Sequence, residues 1–147
     1  MSTVHVPEKA KISVLTGVRQ MEVKELPIPK INDNEILVQI EGCGICGTDV
    51  HEYKGDPFGF IPVQLGHEGT GTIVKLGKNV THDYAGKKLA IGDKIVTGLR
   101  PCGECDVCKK NPQKIHLCNG GEIFGLIPGE KAYFNGWFGE YIKINAG

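Results

Sequence analysis

Apolar positions in this chain recur in short runs and never settle into long helical stripes. Six segments, Lys11–Leu15, Met21–Leu26, Glu35–Ile40, Thr70–Leu76, Lys94–Thr97 and Tyr141–Ile144, are rich in β-branched residues and bounded by Gly, Pro, Asn or Asp. That is the signature of strands separated by turns, and it predicts a mainly β, mostly antiparallel domain. The stretch from Pro27 to Asn34 has two prolines followed by polar turn formers, so it reads as a surface connection. Only Thr48–Tyr53 and Glu104–Lys110 have the pattern to start helices, and both are short. A dinucleotide-binding fold needs strands and helices in alternation around a glycine-rich turn, and neither is encoded here. The nearest glycine cluster, Gly66–Gly71, holds His67 and Glu68 and leads into a strand-like run.

Composition narrows the picture further. Glycine occupies 21 of 147 positions, about twice the roughly 7% of ordinary proteins, which implies many tight turns and a bent sheet. Seventeen basic and 17 acidic residues cancel, so no field draws the chain to nucleic acid or an anionic membrane. The first ten residues lack a signal-peptide pattern, and no apolar run reaches membrane-spanning length. The expected location is the cytoplasm, and the six cysteines are therefore expected to bind metal, because they fall in tight clusters in a chain lacking a secretion signal.

Cys102, Cys105 and Cys108 stand at two-residue gaps, and Cys118 follows ten positions on. Thiolates so spaced can enclose one tetrahedral zinc and leave no open position, which makes a structural site. Its binding energy would order a lobe too polar to fold by burial alone. His116 competes with Cys118 for the fourth place, since imidazole is also a zinc ligand; Cys118 is preferred because the other three ligands are thiols.

A second concentration of chemistry lies upstream. Cys46, Thr48, Asp49 and His51 fall within six residues, and His67 and Glu68 follow at a distance. One thiolate and one imidazole make half of a tetrahedral site that can keep a position for water or substrate. An alcohol at such a zinc loses its hydroxyl proton near neutral pH. Thr48 and His51, three residues apart, have the chemistry to carry that proton to solvent.

Together these segments resemble the N-terminal half of the zinc-dependent medium-chain alcohol and polyol dehydrogenases. The resemblance rests on Cys46-Gly47-Thr48-Asp49-Val50-His51, on Gly66-His67-Glu68-Gly69-Thr70-Gly71 continuing to Gly77 and Val80, on Gly92-Asp93-Lys94-Ile95-Val96, on the cysteine quartet, and on Gly139-Glu140-Tyr141. It implies one domain over residues 1–147, a GroES-like partly open β-barrel with short helices and a zinc-binding lobe at about 98–122. It implies two zinc ions, one catalytic and one structural. Cys46 and His67 would be ligands of the catalytic ion, and Glu68 would lie beside it and coordinate it directly in polyol-type members. Thr48 and His51 would form the proton relay, and Asp49 would hold His67 by its other ring nitrogen. Cys43 is outside the pattern and reads as structural. Local wording is nearest to sorbitol, butanediol and threonine dehydrogenases.

The sequence departs from that family in three places. The gap between Cys108 and Cys118 is longer than usual, with His116 falling near the customary fourth ligand; the loop Thr81–Ile91 is also longer; and the nucleotide-binding domain is absent from these 147 residues. The implied activity is NAD(P)-dependent oxidation of the CH–OH group of a small secondary alcohol or polyol by a longer, homo-oligomeric parent, a dimer or tetramer. The isolated domain is expected to be inactive, because the cofactor must be positioned by the missing part. The alternative is a stand-alone zinc-binding or interaction module without dehydrogenase activity. A thiol redox protein using Cys43 and Cys46 is disfavoured by the missing βαβ context.

Overall fold

Alternating inward and outward side chains set up the first layer. A computed structural model describes residues 5–98 and 100–146 of the chain. Met1 to Val4, Leu99 within the expected lobe, and Gly147 lie outside the described residues. Strand β1 (Lys9–Gly17) buries Ala10, Ile12 and Val14 at alternate positions and pairs antiparallel with β2 (Gln20–Pro27). A four-stranded antiparallel sheet follows the order β5-β4-β3-β6, from β3 (Glu35–Gly44), β4 (Glu68–Leu76), β5 (Lys94–Val96) and β6 (Tyr141–Asn145). All six expected strands form, most of them extending beyond the bounds read from sequence. The two short helices also form, as α1 (Gly47–Gly55) and α2 (Asp106–Lys110). Two 3₁₀ turns, Pro112–Leu117 and Glu130–Ala132, add to them.

The continuous apolar run Ile36-Leu37-Val38 means that β3 is covered on both faces, since successive side chains point to opposite sides of a strand. Ile36 and Val38 join Ile73, Ile142, Ile144 and Trp137 in one core, whereas Leu37 joins Ala10, Ile12, Val14 and Val74 in another. The four-stranded sheet thus has the β1–β2 pair on one side and Trp137 with Phe124 on the other. A third cluster, Leu15, Val63 and Leu65, closes the end nearest α1. The connection after Pro27 is polar at its tip, but Ile28 and Ile31 turn inward onto the second core. Among the described residues, no helix is long and apolar enough to cross a membrane.

One close approach shapes the start of β4. The indole of Trp137 lies where a side chain at Gly69 would begin. Its Nε1–H donates to Thr97 Oγ1 at 2.9 Å, and its side chain is 1% exposed. Only glycine lets strand and ring come this near.

Glu52 on α1 is a buried carboxyl, fully out of solvent. Its Oε1 accepts from the Phe58 N–H at 3.3 Å, while Oε2 is buried and finds no donor among the described residues. Burial first, and then the neighbouring Asp56 carboxyl, push the Glu52 pKa above the ordinary value of 4.5. The folded chain therefore keeps this proton to higher pH than the unfolded chain, and stability falls as pH rises through the window between the two values.

Two outcomes follow from this packing. Gly69→Ala is expected to lower stability by about 1–3 kcal/mol through displacement of the Trp137 ring, read as the urea midpoint. Glu52→Gln cannot ionise, so its stability relative to wild type should climb as pH is raised above 4.5 and then level off. A pH-independent difference would show that Glu52 keeps its ordinary titration.

Candidate metal centres

The first centre is built at the N-terminus of α1. Strand β3 ends at Gly44, and the chain turns so that Cys46 becomes the N-cap, in extended conformation. Its sulfur accepts from the Thr48 N–H at 3.2 Å, and its own N–H donates to Asp49 Oδ2 at 2.9 Å. This is a capping box made with cysteine and aspartate.

The second segment arrives at Gly66, whose φ of +94° belongs to the region that glycine alone enters freely. The Gly66 N–H donates to Asp49 Oδ1 at 3.2 Å. The turn delivers His67 with Nε2 at 2.9 Å from Cys46 Sγ and Nδ1 at 3.6 Å from Asp49 Oδ1. That second separation is an ion-pair distance, longer than a hydrogen bond, and His67 Nδ1 is buried without a hydrogen-bond partner among the described residues. Asp49 faces the ring as the sequence led one to expect, and in addition it binds the backbone of both ligand segments. Glu68 opens β4, is exposed, and folds back over the bare Cα of Gly44. One donor atom each from Cys46, His67 and Glu68 lies within 4.8 Å of the other two. Thiolate, imidazole and carboxylate are together a donor set that zinc accepts.

Thr48 and His51 lie three residues apart on α1, the first half-buried and the second exposed. No hydrogen bond joins their side chains in this structure, so they stand as separate stations near the cluster. Cys43 differs from Cys46 in its surroundings: it packs against the first core, donates to the Gly44 carbonyl at 3.2 Å, and has its pKa raised chiefly by burial. It has the character of a small core residue.

The other centre is local in sequence. Cys102, Cys105, Cys108 and Cys118 are all half-buried, and their sulfurs lie within 4.8 Å of one another. The measured edges are 3.4 Å for Cys102–Cys118, 3.5 Å for Cys105–Cys108, and 3.9 Å for both Cys102–Cys108 and Cys105–Cys118. Four sulfurs each about 2.3 Å from one zinc would stand about 3.8 Å apart, so the cage fits that ion. The exposed His116 stays outside the cluster. The 3₁₀ turn before Cys118 breaks at Lys114 (φ −113°), and the Cys118 thiol lies within the cage. Backbone bridges and an ion pair between Arg100 and Glu122, all at 2.9 Å, close the base of the lobe.

Two of the cage thiols, Cys102 and Cys108, hold their protons unequally. N–H groups of Cys105 and Glu104, followed by the Cys118 thiol, bring Cys102 down to about 6. Burial and then Cys105 push Cys108 up to about 12. A cation that takes all four sulfurs must displace the Cys108 proton, and its uptake is therefore coupled to pH.

A cavity of about 620 Å³ lies elsewhere, among Val96, Phe124, Ile144 and His116; neither Cys46 nor His67 lines it. Sequence reasoning did not single out Gln64 or Trp137, which pack behind the Gly66–Glu68 turn. The one available signal was an amide inside the apolar run Ile61 to Leu65.

Comparison with known proteins gives a consistent picture. The family described as the alcohol dehydrogenase GroES-like domain matches residues 32–147. Sorbitol dehydrogenase of Bombyx mori is 37% identical over 111 residues, covering 72% of this chain and 30% of that protein. Sorbitol dehydrogenase of Bacillus subtilis is 31% identical over 143 residues, covering 95% of this chain and 37% of that protein. The crystal structure of an alcohol dehydrogenase from Thermotoga maritima superimposes with a TM-score of 0.82 at 34% identity, covering 94% of this chain and 39% of that one. The chain thus spans roughly a third of the length of the relatives it matches.

For the thiol cage, Cys118→Ser is expected to abolish metal at that site while His116→Gln leaves metal content unchanged, as read by elemental analysis of the purified chain. The reverse result would make His116 the fourth ligand.

Proposed function

The chain belongs to the alcohol dehydrogenase GroES-like domain family, and from that premise we propose that it is the zinc-binding catalytic portion of an NAD(P)-dependent oxidoreductase acting on the CH–OH group of a secondary alcohol or polyol. The observation that carries this reading is the meeting of Cys46, His67 and Glu68 at the start of α1, with donor atoms within 4.8 Å. These three would hold a zinc ion, which supplies Lewis acidity that makes a substrate hydroxyl more acidic. Cys102, Cys105, Cys108 and Cys118 would hold a second, structural zinc.

The remaining roles belong to side chains of this chain. Asp49 orients the His67 ring and, by accepting the Cys46 and Gly66 N–H groups, keeps the two ligand segments in register. Thr48, half-buried beside Cys46, takes the proton that leaves the substrate hydroxyl as it gives up its own hydroxyl proton toward His51. His51, exposed on the next turn of α1, takes it to solvent. The hydride goes to a nicotinamide held by the remainder of a longer protein, since the chain covers about a third of its relatives. This portion alone is therefore inactive, and the parent is a cytoplasmic homo-oligomer. Similarity to two sorbitol dehydrogenases supports a polyol or secondary alcohol as substrate.

Metal analysis and turnover test the proposal together. The purified chain should hold about two zinc ions, falling to about one in Cys46→Ser. It should form no reduced nicotinamide from sorbitol and NAD⁺ by itself. In a full-length protein bearing this domain, Thr48→Ala should lower kcat by about 10²-fold or more. A chain without zinc at Cys46 would overturn the metal assignment, and turnover by residues 1–147 alone would overturn the requirement for a further part.

A further inference from the structure

Gly66 and His67 are held from the front by Asp49, and a second device holds the turn that carries His67 and Glu68 from behind. The side chain of Gln64 is 2% exposed, between the fully buried Val63 and the 1% exposed Leu65. Its Oε1 accepts from the Phe134 N–H at 2.6 Å. Its amide nitrogen donates to the Gly136 carbonyl at 2.8 Å and the Phe138 carbonyl at 3.3 Å. One buried amide thereby binds three points of a loop about seventy residues away, with both of its N–H donors and its oxygen engaged.

That loop grips both ends of the ligand turn. The Trp137 N–H donates to the Gly66 carbonyl at 3.0 Å, and the Phe138 N–H to the Leu65 carbonyl at 3.0 Å. The Trp137 ring covers Gly69. His67 and Glu68 are thus the two residues between a backbone bond at Gly66 and a ring contact at Gly69, and both anchors are supplied by Trp137. The loop needs help to hold this shape. Phe134 sits in the left-handed region at φ +67°, and Gly136 presses so closely on the Gln64 and Leu65 carbonyls that a side chain there would collide with them. Gln64 bonds Phe134 and Gly136 directly.

We propose that Gln64 is a positioning residue for the Cys46–His67–Glu68 centre, acting through the 134–138 loop to fix the backbone that carries His67 and Glu68. The inference rests on the metal-site reading given under the proposed function. It requires that loss of the three bonds weaken metal binding at this centre and leave the thiol cage, built from residues 102–118, untouched.

Cobalt(II) titration followed by absorption provides the test, with Cys46→Ser as the reference for the thiol cage alone. Gln64→Met keeps the length of the side chain and removes all three hydrogen bonds. Its cage isotherm should superimpose on wild type, while the Kd of the second site rises about tenfold or more, as for other groups that orient metal ligands. If Gln64→Met does not fold, Gln64→Glu, which keeps the bond from Phe134 and loses both donors, is titrated in the same way with the same separation of the two sites expected. Equal weakening at both sites, or no weakening at the second, would overturn the positioning role alone. A wild-type isotherm identical to that of Cys46→Ser would overturn the metal-site reading and this inference with it.

Discussion

The carboxylate of Asp49 joins two stretches of chain that are distant in sequence. Its Oδ2 takes the N–H of Cys46, its Oδ1 takes the N–H of Gly66, and the same Oδ1 faces the ring of His67. A charge only 3% exposed is costly unless it is met by donors, and here two amides and the positive end of α1 meet it. The consequence is geometric. Both ligand-bearing segments are referred to one small rigid group, so their separation does not depend on long flexible side chains. The rest of the fold can be understood as what brings Asp49 and Gly66 together: β3 stops at Gly44, α1 begins soon after, and the cluster of Leu15, Val63 and Leu65 draws the segment before Gly66 inward.

The two centres depend on the chain in opposite ways. The cysteine cage is assembled from residues 102–118, and α2 within it has no buried residue. Little apolar burial holds that lobe, so its order comes from the sulfurs, the 3₁₀ turn and the Arg100–Glu122 base. The Cys46–His67–Glu68 cluster draws on β3, α1, β4 and the loop behind them. A closed, local site and an open, nonlocal one therefore share a single domain without sharing supports.

Much of this was legible in the sequence, for identifiable reasons. Strands could be read because β-branched runs alternate with Gly, Pro and Asn. Cys46 with His67 and the quartet could be singled out because residues able to share a metal follow spacing rules, and the fold brings each set together. Glu68 was legible as a carboxylate beside His67, but its place as the first residue of β4 depends on pairing with Gly44. Spacing alone left His116 and Cys118 as alternatives, and in the fold it is Cys118 that joins the other three sulfurs. Gln64 was invisible for a deeper reason: its partners are the backbone of residues 134–138, and backbone groups leave no mark in a sequence.

Trp137 is the one tryptophan of the chain, and it touches Gly69 and bonds Gly66 and Thr97. The indole that braces the histidine turn is therefore also its only strongly fluorescent side chain. Its emission maximum and quenching report the local alignment of β4 from inside the protein, with no added label.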